Sequence, residues 1–153
     1  NIDSITFCLS KGLSAPIGSV ICGSKEFISK ARKVRKSLGG GMRQTGIISS
    51  AGIVALNDMR KRLSDDHDNA KYLAKELSKL KVIDLDLKLV KTNIIYFNFN
   101  HDTMSSSELV SIMKLQGILF NDYDGQHCRL VLHNGILKDD IENVIDVFSK
   151  LLS

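Results

Sequence analysis

The most informative segment lies near the start of the chain and reads Ile5-Thr6-Phe7-Cys8-Leu9-Ser10-Lys11-Gly12-Leu13-Ser14-Ala15-Pro16-Ile17-Gly18-Ser19. Its apolar first part predicts a buried strand, so that Lys11 emerges at a sheet edge into a turn punctuated by glycine. Burial lowers the pKa of a lysine side chain and frees the amine to form an imine with a carbonyl compound. The pattern therefore indicates a nucleophilic lysine. The alternative is a lysine whose ammonium group only reaches the solvent at the rim.

Length and composition are those of a folded globular protein. The chain has 153 residues, of which 43% are hydrophobic and 25% are charged, enough to bury a hydrophobic core. It begins with Asn1 rather than Met, which predicts a fragment of a longer protein. No apolar run approaches the roughly 20 residues that span a bilayer, and no signal peptide opens the chain. We therefore expect a cytoplasmic protein without a membrane partner.

Charge and cysteine content exclude several other classes. The net charge is +4, and basic residues crowd positions 25–36, but aromatic residues make up only 6% of the chain, too few to interleave with these charges as a base-stacking surface. We expect these cations to form the solvated face of an amphipathic helix rather than a nucleic-acid site. Cys8, Cys22 and Cys128 are odd in number and widely spaced, so neither a disulfide framework nor a metal site is expected. Their apolar surroundings predict buried thiols.

The first half of the chain is predicted to be mostly helical after the opening strands. A second strand at residues 17–22 is followed by Ser24 as an N-cap and by a helix with one buried face, which ends at Gly39-Gly40-Gly41. Residues 45–63 predict a helix rich in small side chains, suited to close packing or to a subunit interface. A third helix is expected up to about residue 80.

The second half is predicted to be a compact α+β unit. Strands are expected at residues 92–99, 118–120 and 128–133, with helices at residues 105–116 and 138–152. Their order favours antiparallel hairpins packed against helices. The fold class is therefore α/β, with α+β character in the C-terminal part.

Three further basic residues are candidates for binding an anion. Lys36 and Arg43 flank the triple glycine, where a flexible backbone and two cations suit a phosphate or a carboxylate. Arg129 lies in a strand that is otherwise Leu and Val, and an arginine there needs an anionic partner. That partner is either an internal aspartate or the carboxylate of a substrate.

Two runs carry a family resemblance, namely residues 8–19 around Lys11 and Leu38-Gly39-Gly40-Gly41-Met42-Arg43-Gln44. Together with Thr92-Asn93 and Arg129-Leu130-Val131-Leu132-His133, they resemble the low-specificity threonine aldolases of the pyridoxal-phosphate-dependent fold type I group. The resemblance covers essentially the whole chain and implies the C-terminal portion of an aminotransferase-like enzyme. It implies that residues 1–80 end the large cofactor-binding domain and that residues 81–153 form the small C-terminal domain.

The resemblance also implies roles for individual residues. Lys11 would be the catalytic residue, bound to pyridoxal 5'-phosphate as an imine, with Lys36 and Arg43 near the cofactor and Arg129 on the substrate carboxylate. The implied reaction is retro-aldol cleavage of L-threonine or L-allo-threonine to glycine and acetaldehyde, by a homodimer or homotetramer of the full-length enzyme. The fragment alone is expected to be inactive. The alternatives are another lyase of the same fold, or a non-catalytic basic module for association or nucleic-acid binding.

Overall fold

The computed structural model describes residues 2–152, and these divide into two compact units between Leu63 and Ser64. The predicted domains 1–80 and 81–153 concern a larger enzyme, and they stay a prediction. Among residues 2–152 we find no helix with both the length and the apolar character needed to traverse a lipid bilayer.

The first unit begins with a β-hairpin followed by helices. Strands β1 (Ser4–Cys8) and β2 (Ser19–Gly23) pair antiparallel, and helices α1 (Lys25–Ser37) and α2 (Gly46–Asn57) follow. The Ser24 hydroxyl caps α1 by accepting a hydrogen bond from the Phe27 N–H at 3.2 Å. At its other end the Gly40 N–H donates to the Arg35 carbonyl while Gly39 adopts a φ of +84°. This is the left-handed ending that glycine favours, so the predicted bounds of α1 are confirmed.

Burial in the first unit differs from the sequence prediction. No residue of α1 is buried, and Leu38 after it is 82% exposed. The strand β1 is also largely exposed, as are the thiols of Cys8 and Cys22. The predicted buried face of α1, the buried first strand and the burial of these two thiols are wrong for this chain. Periodicity identifies an apolar face, but that face is buried only where another element covers it.

The second helix is shorter than predicted but packs as its composition indicates. It ends at Asn57, and a 3-10 turn (Met59–Arg62) separates it from the next helix, so residues 45–63 are not one helix. Gly52 and Ala55 are buried. A Cβ at Gly52 would stand 3.1 Å from Cδ1 of Leu9. The predicted close approach at small residues is therefore confirmed at Gly52.

The second unit packs helices on an antiparallel sheet. Its helices are α3 (Leu63–Leu77), α4 (Ser106–Leu115) and α5 (Lys138–Leu152). The sheet has the order β3-β4-β6-β5, with β3 (Ile83–Asp84), β4 (Ile94–Phe99), β5 (Asn121–Asp122) and β6 (His127–Val131). All its pairings are antiparallel, which confirms the α+β prediction for this half. The core contains Phe97, Phe148, Leu77 and Met113.

One strand of the second unit is displaced from its predicted position. Residues 118–120 form no strand, and the short β5 begins at Asn121. The apolar segment is still used for packing, because the Phe120 ring lies 6.1 Å from that of Phe97 and 5.9 Å from that of Phe148, between ring centroids. An apolar run of this length predicts burial better than it predicts a hydrogen-bonding partner.

Candidate functional site

Lys11 lies in a tightly folded loop between β1 and β2. The Ser14 N–H donates to the Lys11 carbonyl at 2.8 Å, and the Ala15 N–H donates to the Leu9 carbonyl at 3.0 Å. Leu9, Leu13 and Ala15 are buried in one small cluster, whereas Lys11 is exposed. Burial of this lysine within the chain was therefore a wrong expectation. The loop fixes the backbone of Lys11 and leaves the residue exposed.

Two glycines let this loop form. Gly18 has a φ of +123°, a conformation that side-chain-bearing residues rarely adopt, and its carbonyl accepts from the Leu9 N–H at 2.9 Å. At Gly12 a Cβ would stand 3.0 Å from Cδ2 of Leu63, tighter than an ordinary contact. The residue after Lys11 therefore packs against Leu63, the last residue of the first unit, and leaves little room for a side chain at position 12.

Lys36 and Arg43 lie on either side of the triple glycine. The Lys36 side chain folds over Gly41, where its Nζ lies 2.7 Å from the place a Cβ would take. Arg43 follows two residues later and is exposed. Within residues 2–152, neither cation forms an ion pair with a carboxylate. Both remain available to an anion from outside the described chain.

Arg129 lies on β6, between its cross-strand neighbours Tyr96 on β4 and Asn121 on β5. Cys128 and Leu130 point into the core, so alternation places Arg129 on the opposite face of the sheet. Arg129 itself is half-buried. Its Nε is buried and finds no hydrogen-bond acceptor within residues 2–152. The internal aspartate that the sequence left open as a partner is therefore not found in this part of the chain.

The surroundings of Arg129 are aromatic and cationic. Its Cζ atom lies 5.3 Å from the centroid of the Tyr123 ring. Arg129 also lines an open cavity of about 520 Å³, together with Lys114, Asn121 and His133. An unpartnered guanidinium in such a cavity suits a carboxylate, which accepts two parallel hydrogen bonds from the guanidinium fork.

Sequence reasoning did not identify Tyr123 or the aspartates beside it. Asp122 and Asp124 fold the β5–β6 turn: the Gly125 N–H donates to Asp122 Oδ1 at 2.8 Å, and the His127 N–H donates to Asp124 Oδ1 at 2.9 Å. Hydrogen bonds from the Ser107 hydroxyl and the Gly125 N–H lower the pKa of Asp122, and those from His127 lower the pKa of Asp124. The dipeptide Asp124-Gly125 is a hairpin signal that could have located this turn.

The candidate residues divide between the two units. Lys11, Lys36 and Arg43 lie in the first unit, and Arg129 lies in the second. Their roles as catalytic, cofactor-binding and substrate-binding residues stay predictions. In the structure, backbone hydrogen bonds fix the loop that contains Lys11. The buried Nε–H of Arg129 has no acceptor in residues 2–152.

Comparison with solved structures identifies the class of fold. A candidate L-allo-threonine aldolase from Listeria monocytogenes superposes with a TM-score of 0.75 at 19% identity, over 97% of this chain and 44% of that chain. At this identity the likeness shows the fold alone. The predicted fold class, that of the pyridoxal-phosphate-dependent fold type I enzymes, is thereby confirmed.

Comparison of sequences gives the family. The model of the family described as beta-eliminating lyase matches residues 1–100, and the chain belongs to this family. Low-specificity L-threonine aldolase 1 of Arabidopsis thaliana is 39% identical over 98% of this chain and 42% of its own length. The low specificity L-threonine aldolase of Escherichia coli K12 is 37% identical over 93% of this chain and 40% of its own length. The chain thus spans about two fifths of the length of these relatives.

Proposed function

We propose that Lys11 and Arg129 belong to the active site of a pyridoxal-phosphate-dependent lyase that cleaves L-threonine or L-allo-threonine to glycine and acetaldehyde. The observation that carries the proposal is the Lys11 loop, whose hydrogen bonds fix the lysine backbone while the residue stays exposed. Relatives that bear the name threonine aldolase match nearly the whole chain, and they support this reaction over a non-catalytic role.

The chain's own groups fit the cofactor. Pyridoxal phosphate has an aldehyde, which reacts with a primary amine, and a phosphate, which binds cations. Lys11 offers the amine, and Lys36 and Arg43 offer cations that no carboxylate neutralises within residues 2–152. When bound, the cofactor supplies an electron sink for the carbanion that cleavage of the Cα–Cβ bond leaves on the substrate.

Arg129 would bind and orient the substrate. Its Nε–H is buried without an acceptor among the described residues, so an incoming carboxylate would satisfy a donor that is otherwise left without a hydrogen bond. A carboxylate held by both arms of the guanidinium fixes the rotation of the substrate about its Cα. That rotation decides which bond of the Cα is broken. Arg129 would therefore orient the substrate, whereas Lys11 would attach the cofactor.

Turnover belongs to the full-length enzyme, because the chain spans about two fifths of its relatives' length. We propose that the full-length enzyme is a cytoplasmic homodimer or homotetramer that forms glycine from β-hydroxy amino acids. The chain alone, which offers one amine and one guanidinium for the reaction, is expected to be inactive.

Replacement of Lys11 tests the proposal. Lys11→Ala in the full-length enzyme is expected to abolish the absorbance of the protein-bound cofactor and the formation of glycine, because the amine that attaches the cofactor is removed. Lys25→Ala is the matched control, since Lys25 is also exposed and begins α1 in the same unit. An unchanged spectrum with unchanged glycine formation in Lys11→Ala would contradict the proposal. Pyruvate and ammonia as products, in place of glycine and acetaldehyde, would indicate another lyase of the same fold.

A further inference from the structure

We propose that Tyr123 is a positioning residue for Arg129: the face of its ring holds the guanidinium in the orientation that receives the substrate carboxylate. The inference rests on the proposed function, since it concerns the residue expected to bind the substrate. It adds a residue that belongs to neither of the runs on which the family resemblance depends.

The strand register places the two side chains on one face of the sheet. Asn121 is opposite Arg129 and Asp122 is opposite Cys128. The pairing continues one step further, because the Tyr123 N–H donates to the His127 carbonyl at 3.0 Å. Tyr123 is therefore the diagonal neighbour of Arg129, a separation that aromatic and long side chains can bridge.

The contact has the geometry of a cation–π interaction. The Cζ atom of Arg129 lies 5.3 Å from the ring centroid, within the roughly 6 Å at which such contacts are attractive. The π face of the Tyr123 ring attracts the guanidinium charge, and a ring is a much weaker hydrogen-bond acceptor than a carboxylate. The Nε–H, which is buried without an acceptor among the described residues, therefore keeps its hydrogen bond for a carboxylate.

The hairpin keeps the ring in place. On one side of Tyr123, Asp122 accepts from the Gly125 N–H and from the Ser107 hydroxyl of α4. On the other side, Asp124 accepts from the backbone N–H of His127 and contacts its ring Nδ1 at 2.6 Å. A turn with both flanking carboxylates bonded in this way restricts the Tyr123 backbone. The ring can then order Arg129, a side chain with many rotamers of its own.

Loss of the ring should weaken substrate binding more than it slows the bond-breaking step, because the Arg129 guanidinium that orients the bound substrate is retained. We expect Tyr123→Leu in the full-length enzyme to raise KM for L-threonine roughly three- to tenfold, with kcat changed by less than about twofold. It should weaken binding of glycine, the carboxylate-bearing product, by a similar factor. Tyr123→Phe keeps the ring and should restore both values. Tyr123 is 54% exposed, so these variants should fold, and Tyr123→Gln provides a second ring-free variant.

The controls separate this inference from the proposed function. Tyr72→Leu removes another tyrosine of the same unit, one whose hydroxyl donates to Glu142 at 2.8 Å, and it should leave KM unchanged. If Arg129→Lys raises KM while Tyr123→Leu and Tyr123→Gln do not, the inference is overturned and the proposed function stands. If Tyr123→Phe raises KM as much as Tyr123→Leu does, the ring is not what positions Arg129 and the inference is also overturned. If neither Arg129→Lys nor Lys11→Ala alters turnover, the proposed function itself fails.

Discussion

Cys128 shows how the fold determines the chemistry of a single side chain. It lies on β6 with its thiol in the core, and burial together with nearby Asp122 raises its pKa to about 11. Cys8 and Cys22, in contrast, are exposed. All three occur in apolar runs, so sequence alone predicts one environment for three thiols. The difference arises because Cys128 lies on a four-stranded sheet whose core face packs against helices. Cys8 and Cys22 lie on a two-stranded sheet that leaves both thiols exposed.

We therefore expect Cys128 to be alkylated far more slowly than the other two thiols in the chain 1–153. At pH 8 a thiol with a pKa of about 11 is ionised in only about one molecule in a thousand. Timed iodoacetamide labelling followed by peptide mass spectrometry measures each thiol separately. Labelling of the urea-unfolded chain is the control, in which all three rates should converge. Equal rates in the folded chain would contradict the burial of Cys128.

Among the elements, α4 has an N-terminus fixed by hydrogen bonds between residues close in sequence. Ser105 and Glu108 form a capping box, in which the Ser105 N–H donates to Glu108 Oε2 at 2.8 Å and the Glu108 N–H donates to Ser105 Oγ at 3.3 Å. Ser105→Ala should lower the free energy of unfolding by about 1 kcal/mol, because a helix N–H loses its acceptor. Ser111→Ala is the matched control, since its hydroxyl bonds to the Ser107 carbonyl inside the same helix. Urea denaturation measures both variants, and equal losses would contradict a capping role.

The same box predicts a dependence on pH. Hydrogen bonds from the N–H and hydroxyl of Ser105 lower the pKa of Glu108. A carboxyl group whose pKa is lower in the folded state stabilises the fold above its ordinary pKa, and this contribution disappears as the pH falls through the lower, folded value. The stability difference between wild type and Glu108→Gln should therefore shrink between about pH 6 and about pH 3. A stability difference that stays constant over that pH range would contradict the lowered pKa of Glu108.

The elements also show where sequence reasoning reaches its limit. Helices α1, α4 and α5 end near their predicted bounds, because caps and glycine turns are local signals. The break after Asn57 and the displaced strand β5 differ from the prediction. The position of β5 depends on its pairing with β6, which local sequence signals do not specify. Residue type and setting predict Lys11 and Arg129 as site residues, and their roles stay predictions. Tyr123 was not predicted, because only the strand register places it beside Arg129.

At the scale of the whole molecule, the two units differ in how much apolar surface they bury. In the first unit the buried apolar cluster consists of Leu9, Leu13, Ala15 and Ala55. Large apolar side chains there remain exposed, including Ile47 at 84%. The core of the second unit contains Phe148, Leu77 and Ile95, each almost completely inaccessible to solvent. Because apolar burial is the main term that favours folding, the first unit should be the less stable of the two.

Hydrogen exchange on the chain 1–153 tests this difference. Amides of β4, β6 and α5 should exchange slowly, whereas those of β1, β2 and α1 should exchange faster, because opening the first unit exposes less apolar surface. Leu77→Ala should destabilise the second unit by roughly 2–5 kcal/mol and speed exchange in β4 and β6. Leu13→Ala, the matched change in the smaller cluster, should alter exchange only in the first unit. If β1 and β2 proved as protected as β4 and β6, burial within each unit would not control stability in this chain.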